Sequence, residues 1–109
     1  MKRMLVVILA IAVAILVLPR AARADAAPDG AAIYKSKCAM CHGPDGKGQT
    51  PTGKTMKLRD LGSAEVQKMT DAELQKLIAD GKGKMTAYKG KLDQASINAV
   101  VAFIRTLKR

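Results

Sequence analysis

The chain has 109 residues, enough for one small domain, and carries 19 Lys or Arg against nine Asp or Glu, a net charge of +10. It contains two tyrosines, one phenylalanine and no tryptophan, and its two cysteines lie three positions apart. A disulfide across so short a loop would restrain the unfolded chain little, so a disulfide-stapled scaffold is excluded. A core this poor in aromatic residues predicts that the fold recruits another large apolar body.

The N-terminal segment has the pattern of an export signal. It opens with Lys2 and Arg3, continues through an apolar run over residues 4–18 and ends at an Ala-Arg-Ala site over residues 22–24. A spanning helix needs roughly 20 apolar residues, so this run is short for a membrane anchor. We expect residues 1–24 to be a cleaved signal peptide and residues 25–109 to be the exported domain. A retained anchor is the alternative.

Two amphipathic helices are predicted before residue 82. The first covers about residues 28–37, with Pro28 in its first turn. The second begins at the N-cap Thr70, which forms a capping box with Glu73. It ends at Gly81, a residue expected in the left-handed conformation.

A third helix is predicted at the C-terminal end, and a long loop lies between the first two. The helix follows Asp93, and its apolar residues share one face at helical spacing. They are Ile97, Val100, Val101, Ile104 and Leu107. Residues 43–61 are rich in glycine and proline, which predicts an irregular loop, and residues 63–67 form at most a helical turn. With no strand predicted, the fold class is all-α, and a loop this long suits the wrapping of a cofactor.

The central motif is C-x-x-C-H, formed by Cys38, Cys41 and His42, and it is the attachment pattern of c-type haem. Each thiol adds to one vinyl group of the haem, and His42, the only histidine, then falls beneath the iron as an axial ligand. A zinc site typically wants four protein ligands, and a thiol redox motif expects a βαβ context. The chain offers neither, so we predict one covalently bound haem c with its iron.

With these features the chain resembles small bacterial class I cytochromes c over nearly all of residues 25–109. The resemblance implies an all-α class I cytochrome c fold, in which three main helices wrap around one covalently attached haem. It also implies that the first and last helices cross near-perpendicularly at a small residue and an aromatic. The matching features are Gly30, Tyr34, the motif over residues 38–42, the glycine-rich loop, residues 81–88 and Phe103. One departure is that this family often has Met-Pro where this chain has Met85-Thr86.

A methionine thioether is the natural second axial ligand for an electron carrier. Met40 lies inside the motif and cannot reach across the ring, and Met69 precedes the cap of the second helix, where a structural role fits. Met56, in the loop, remains a competitor. Met85 lies in a glycine-flanked segment and matches the ligand position of the family, so we expect Met85 to bind the iron.

A second group is expected to orient His42. Ligating histidines usually donate their other ring N–H to a carbonyl or a carboxylate. In the family a proline carbonyl in the following loop accepts this hydrogen bond. Pro51, nine residues after His42, is the best match, since Pro44 is too close to return to the ring. The alternative is that Pro51 only shapes the loop.

The expected function is that of a periplasmic single-haem carrier, which passes one electron between larger redox proteins. No further histidine, paired carboxylates or nucleophile arrangement suggests an enzyme. A membrane-tethered or complex-bound electron-transfer subunit is the alternative if residues 1–24 are retained. A haem sensor or gas-binding domain is the alternative if Met85 does not bind the iron.

The lysine distribution suggests the kind of partner. Seven lysines lie in the two loops expected to border the haem edge: Lys47, Lys54, Lys57, Lys82, Lys84, Lys89 and Lys91. Such a positive rim favours redox partners with acidic docking surfaces, although charge runs often serve only solubility. Export and the haem motif argue against nucleic acid as a partner. No membrane span is expected after signal cleavage.

Overall fold

The structure is a computed structural model that describes residues 27–109, so the predicted signal peptide lies outside the described residues. Within this range the chain forms helices joined by turns and loops, with two isolated bridges and no strand. The helices are α1 (Gly30–Lys37), α2 (Ala39–His42), α3 (Pro51–Met56), α4 (Ala64–Gln67), α5 (Asp71–Asp80) and α6 (Gln94–Thr106). None of these six is long and apolar enough to cross a bilayer. The predicted all-α class is confirmed.

Helices α1 and α6 pack directly on one another. A Cβ atom added at Gly30 would lie 2.0 Å from the carbonyl oxygen of Ala99, so the two backbones touch where α1 begins. One turn later the Tyr34 and Phe103 rings pack with centroids 4.8 Å apart and planes tilted by 45°. The contact predicted at Gly30, Tyr34 and Phe103 is therefore confirmed.

The hydrophobic core lies between α4, α5 and α6. Its buried side chains are Val66, Leu74, Ile78, Ile97, Val100, Val101 and Ile104. Arg105 ties the end of α6 to the α4–α5 junction, because its guanidinium donates to the Asp71 carboxylate at 2.8 and 2.9 Å and to the Met69 carbonyl at 2.6 Å. The core and these hydrogen bonds therefore hold α4, α5 and α6 together.

Both ends of α5 agree with the prediction, since the helix ends at Gly81, but the conformation of that glycine does not. The Thr70 N–H donates to the Glu73 carboxylate at 2.7 Å, and the Glu73 N–H donates to the Thr70 hydroxyl at 3.1 Å, which completes the capping box. Gly81 has φ +71° but ψ 175°, so it leaves the helix in an extended direction. The predicted left-handed conformation is wrong because the chain turns away at once towards Met85.

Helix α1 begins two residues later than predicted. The Asp29 side chain accepts a hydrogen bond from the Ala32 N–H at 3.2 Å and serves as the N-cap. Pro28 therefore precedes the cap and is not in the first turn.

Two short helices interrupt regions that were predicted as motif and loop. Helix α2 carries Cys41 and His42, and α3 lies within the predicted loop. In α3 the Thr50 side chain is the N-cap and Pro51 occupies the first turn, where its fixed φ is suited to a helix. The loop prediction for residues 43–61 was therefore wrong over α3, because the Thr-Pro start signal outweighs the glycine in this helix.

Candidate haem site

The C-x-x-C-H motif continues directly from α1 into α2. Cys38 joins the two helices: its N–H donates to the Tyr34 carbonyl at 2.8 Å, and its carbonyl accepts the His42 N–H at 3.0 Å. Positions three and four apart on one turn lie side by side, so Cys38, Cys41 and His42 share a face. The motif is thus held on a single helical turn that is joined to α1, the helix that packs on α6.

The two cysteines are free thiols and both are half-buried. Burial, with a further contribution from Cys41, raises the pKa of the Cys38 thiol to about 11. A thiol redox motif needs the opposite, a pKa lowered towards neutrality. The environment of Cys38 is therefore unlike that of a thiol redox motif.

His42 has the environment of an axial ligand. Burial lowers the pKa of its imidazole, which keeps the ring neutral, the form that binds metals. Its Nδ1 atom is buried and has no hydrogen-bond partner in the described part of the chain. A neutral, half-buried imidazole beside two free thiols fits haem c.

The predicted hydrogen bond from His42 to Pro51 is not made in the structure. The His42 Nδ1 atom lacks a partner, and the Pro51 carbonyl accepts instead the Thr55 hydroxyl at 3.0 Å. The physical reason is α3, since Pro51 lies in the first turn of this helix and its carbonyl faces the next turn.

The segment after the motif folds tightly back on it, and we call residues 43–58 the His-side wrap. The Thr50 hydroxyl donates to the Cys41 carbonyl at 2.6 Å and accepts the Gly53 N–H at 2.9 Å. The Gly48 N–H donates to the His42 carbonyl at 2.7 Å. Sequence reasoning missed Thr50, although a threonine directly before a proline is an N-cap signal that points to it.

Met85 lies in a second segment, residues 81–92, which we call the Met segment. Its backbone is joined to the end of α5, since the Tyr88 N–H donates to the Ile78 carbonyl at 3.0 Å and the Lys89 N–H to the Ala79 carbonyl at 2.9 Å. Met85 is half-buried and packs on the core cluster, as Cys38 does. The structure thus brings the expected ligand and the first attachment cysteine onto one apolar cluster.

The other methionines are placed differently. Met69 packs on the cluster that contains Leu74, as expected for a staple at the start of α5, and Met40 is 82% exposed. Met56 is half-buried at the end of α3 and, among the described residues, is not one of those that pack on the cluster. This packing favours Met85 over Met56.

All seven lysines of the predicted rim are exposed.

Comparison with known proteins places these features in a family. The family model described as "Cytochrome C oxidase, cbb3-type, subunit III" matches residues 25–104. Cytochrome c6 of Leptolyngbya boryana is 35% identical over 74% of this chain and 91% of its own length. The cbb3-type cytochrome c oxidase subunit FixP of Bradyrhizobium sp. is also 35% identical, over 72% of this chain but only 26% of FixP.

A solved structure agrees with the sequence relatives. The KustC0563 c-type cytochrome superposes with a TM-score of 0.70 and 32% identity, and the match covers 74% of this chain and 99% of that one. The match spans nearly all of that cytochrome, so this chain contains the fold of a small c-type cytochrome. The chain therefore belongs to the cytochrome c family, as a small class I cytochrome c with covalently bound haem c.

Proposed function

We propose that this protein is a periplasmic one-electron carrier whose haem is attached to Cys38 and Cys41 and ligated by His42 and Met85. The observation that carries the proposal is the C-x-x-C-H turn, rooted in α1, with its half-buried neutral imidazole. Haem c supplies a ferric–ferrous couple that takes up and returns a single electron. Removal of residues 1–24 as a signal peptide would place the domain in the periplasm.

The residues around the motif would keep the ligands in place while the charge of the site changes. The His-side wrap fixes the carbonyls of Cys41 and His42 through Thr50 and Gly48, so the backbone that carries the imidazole has little freedom to move. The Met85 thioether is an uncharged ligand, and methionine ligation raises the reduction potential. Two protein ligands also leave no open position for a substrate, which favours electron transfer over catalysis.

The surface charge supports partners with acidic docking surfaces. Loss of residues 1–24 removes four of the 19 basic residues and none of the nine acidic ones, so the net charge falls from +10 to +6. The exposed lysines of the wrap and the Met segment add a positive field, which speeds encounter with an acidic protein and weakens with salt. Such a field acts mainly on the association rate, which suits a carrier that must dissociate again.

The ligand set is tested by the variants Met85→Ala and Met56→Ala in the haem-loaded protein. We expect Met85→Ala to abolish the weak sulfur-to-iron absorption band of the ferric protein and to lower the reduction potential. Met56→Ala should change neither, because its side chain does not pack on the core cluster with Cys38. The reverse pattern in the two variants would falsify the assignment of Met85.

Covalent attachment has its own test. Haem should stay with the polypeptide in acidified organic solvent, and a Cys38→Ala/Cys41→Ala variant should release any haem that it binds. Haem that extracts from the unmutated protein would contradict thioether attachment.

A second candidate is an electron-transfer domain that works within a larger oxidase. It is favoured by the family model, whose description names an oxidase subunit, and by the likeness to FixP over about a quarter (26%) of that protein. The mature N-terminus decides between the two, by mass spectrometry of protein isolated from the native cell. A chain that starts at residue 25 and is released without detergent supports the carrier, and an intact Met1 with detergent-dependent release supports the tethered domain.

A further inference from the structure

We propose that the Tyr88 hydroxyl is a positioning group for Met85: its hydrogen bond to the Lys37 carbonyl fastens the Met segment to the helix that leads into Cys38. The inference rests on the proposed function, in which Met85 binds the iron. In this proposal one side-chain oxygen, that of Tyr88, connects the Met segment to the C-x-x-C-H motif.

The contact joins two distant parts of the chain. The Tyr88 hydroxyl donates to the Lys37 carbonyl at 3.0 Å across 51 positions of sequence. Lys37 is the last residue of α1 and directly precedes Cys38. The hydrogen bond therefore holds the Met segment one residue away from the first attachment cysteine.

The other bonds of the Met segment do not reach α1. The Tyr88 and Lys89 N–H groups hold the segment to the end of α5, and the Met85 N–H closes a local turn on the Lys82 carbonyl at 3.0 Å. In the part of the chain that the structure describes, the Tyr88 hydroxyl makes the one side-chain hydrogen bond from residues 81–92 to another element. Without it, the hydrogen bonds that join the segment to other elements all go to the end of α5, and only apolar packing holds it elsewhere.

The segment between these anchors has room to move. Gly83 has φ +58°, and a Cβ atom added there would meet nothing within 4 Å. The residues around Met85 are exposed, whereas Met85 and Tyr88 themselves are half-buried against the core. Loss of the tie would therefore raise the population of a conformation in which Met85 has left the haem face, while the Tyr88 ring continues to pack.

The test compares Tyr88→Phe with unmutated protein, both loaded with haem, by the rate at which ferric protein binds cyanide. Cyanide takes the position of the sixth ligand, so its binding rate reports how often Met85 leaves. We expect the rate to rise about 5-fold, which corresponds to ~1 kcal/mol for one hydrogen bond. The sulfur-to-iron band should remain, since the closed state still dominates.

Tyr34→Phe is the matched control. It also removes a tyrosine hydroxyl that donates to a backbone carbonyl. That carbonyl belongs to Gly43 in the His-side wrap, and the hydrogen bond is 2.6 Å long. We expect it to lower thermal stability and to leave the cyanide rate unchanged. An unchanged rate in Tyr88→Phe, or an equal rise in both variants, would overturn the positioning role.

The failure of the ligand assignment is visible separately. Met85→Ala should bind cyanide much faster than Tyr88→Phe, because it removes the competing ligand altogether. If Met85→Ala and the unmutated protein bind cyanide at the same rate, Met85 is not the ligand and the proposed function is wrong on that point, whatever Tyr88→Phe shows.

Discussion

The His-side wrap and the Met segment are both rich in glycine, but only the Met segment has glycines that lie in open space. In the wrap they are buried, and a Cβ atom at Gly53 would lie 2.4 Å from the Gly48 carbonyl oxygen and 2.6 Å from that of Cys41. In the Met segment Gly81 is packed in the same way, since a Cβ atom there would lie 2.5 Å from the Met85 carbonyl oxygen, whereas a Cβ atom at Gly83 or Gly90 would meet nothing within 4 Å. The wrap glycines and Gly81 allow backbones to touch, whereas Gly83 and Gly90 only allow the chain to turn.

This difference predicts unequal mobility for the two proposed iron ligands. The backbone around His42 is closely packed. It is hydrogen-bonded to α1 before the motif and to the His-side wrap after it. Met85 packs on the core, but Gly83 and Gly90 on either side of it lie in open space, and the Met segment is held by a few hydrogen bonds to α5 and α1. Sub-global opening draws on regions with few buried contacts, so we expect the Met side to open first.

The largest expected effect comes from adding one methyl group in the wrap. Gly53→Ala forces a carbon into the carbonyl oxygens of Gly48 and Cys41, both of them backbone atoms that cannot rotate aside. We expect a loss of about 2–3 kcal/mol in the free energy of unfolding, measured with denaturant on the haem-loaded protein. Gly83→Ala, which pays only for its positive φ, should cost about 1 kcal/mol. Equal costs would mean that the wrap is no tighter than the Met segment.

A smaller effect is expected from the Thr50 hydroxyl. Thr50→Val keeps the shape of the side chain and removes the hydrogen bonds to the Cys41 carbonyl and the Gly53 N–H. The loss should be about 1–2 kcal/mol, because a cap and a part-buried carbonyl both lose their partner. Thr55→Val, which removes an exposed hydroxyl bonded to the Pro51 carbonyl, is the control and should cost less than about 0.5 kcal/mol. Similar losses in the two variants would show that Thr50 does not clamp the motif.

The smallest effect is a pH dependence carried by Tyr34. Burial, with the nearby Cys38 and Asp45, raises the pKa of Tyr34 to about 12, above its ordinary value of 10.0. A raised pKa favours the neutral phenol in the folded state, so this stability is present below pH 10 and is lost as the pH rises towards 12. Between pH 9 and 10.5 the unmutated protein should lose about 0.8 kcal/mol more than Tyr34→Phe, measured by denaturant unfolding at each pH. Parallel losses in the two proteins would contradict the burial of this hydroxyl.

The elements that sequence predicted well are those whose signals are local. The capping box of Thr70 and Glu73 correctly predicted the start of α5. Asp93 correctly predicted the start of α6, and its side chain accepts a hydrogen bond from the Ser96 N–H at 2.8 Å. The C-x-x-C-H motif was readable for a similar reason, because covalent attachment imposes its spacing. Each of these signals is complete within about five residues, so no tertiary contact was needed to interpret it.

The predictions that failed depended on where the chain goes next. The glycine-rich composition predicted a loop where α3 forms. Because no helix was expected there, the Pro51 carbonyl was predicted to accept a hydrogen bond from His42. Once Pro51 starts a helix, its carbonyl faces Thr55. The hydrogen bond of the Tyr88 hydroxyl could not be predicted either, because its acceptor is a backbone carbonyl 51 positions away. Contacts of this kind depend on tertiary packing, which no local pattern encodes.

Amide hydrogen exchange on the haem-loaded ferric protein tests the unequal mobility of the two sides most directly. The N–H groups of Gly48 and Leu58, bonded at 2.7 and 2.9 Å in the wrap, can be compared with those of Met85 and Tyr88, each bonded at 3.0 Å in the Met segment. We expect the Met-segment amides, corrected for intrinsic rates, to exchange at least ~10-fold faster, through an opening that leaves the wrap closed. Exchange of all four amides at one common rate would contradict a fixed histidine side and an opening methionine side.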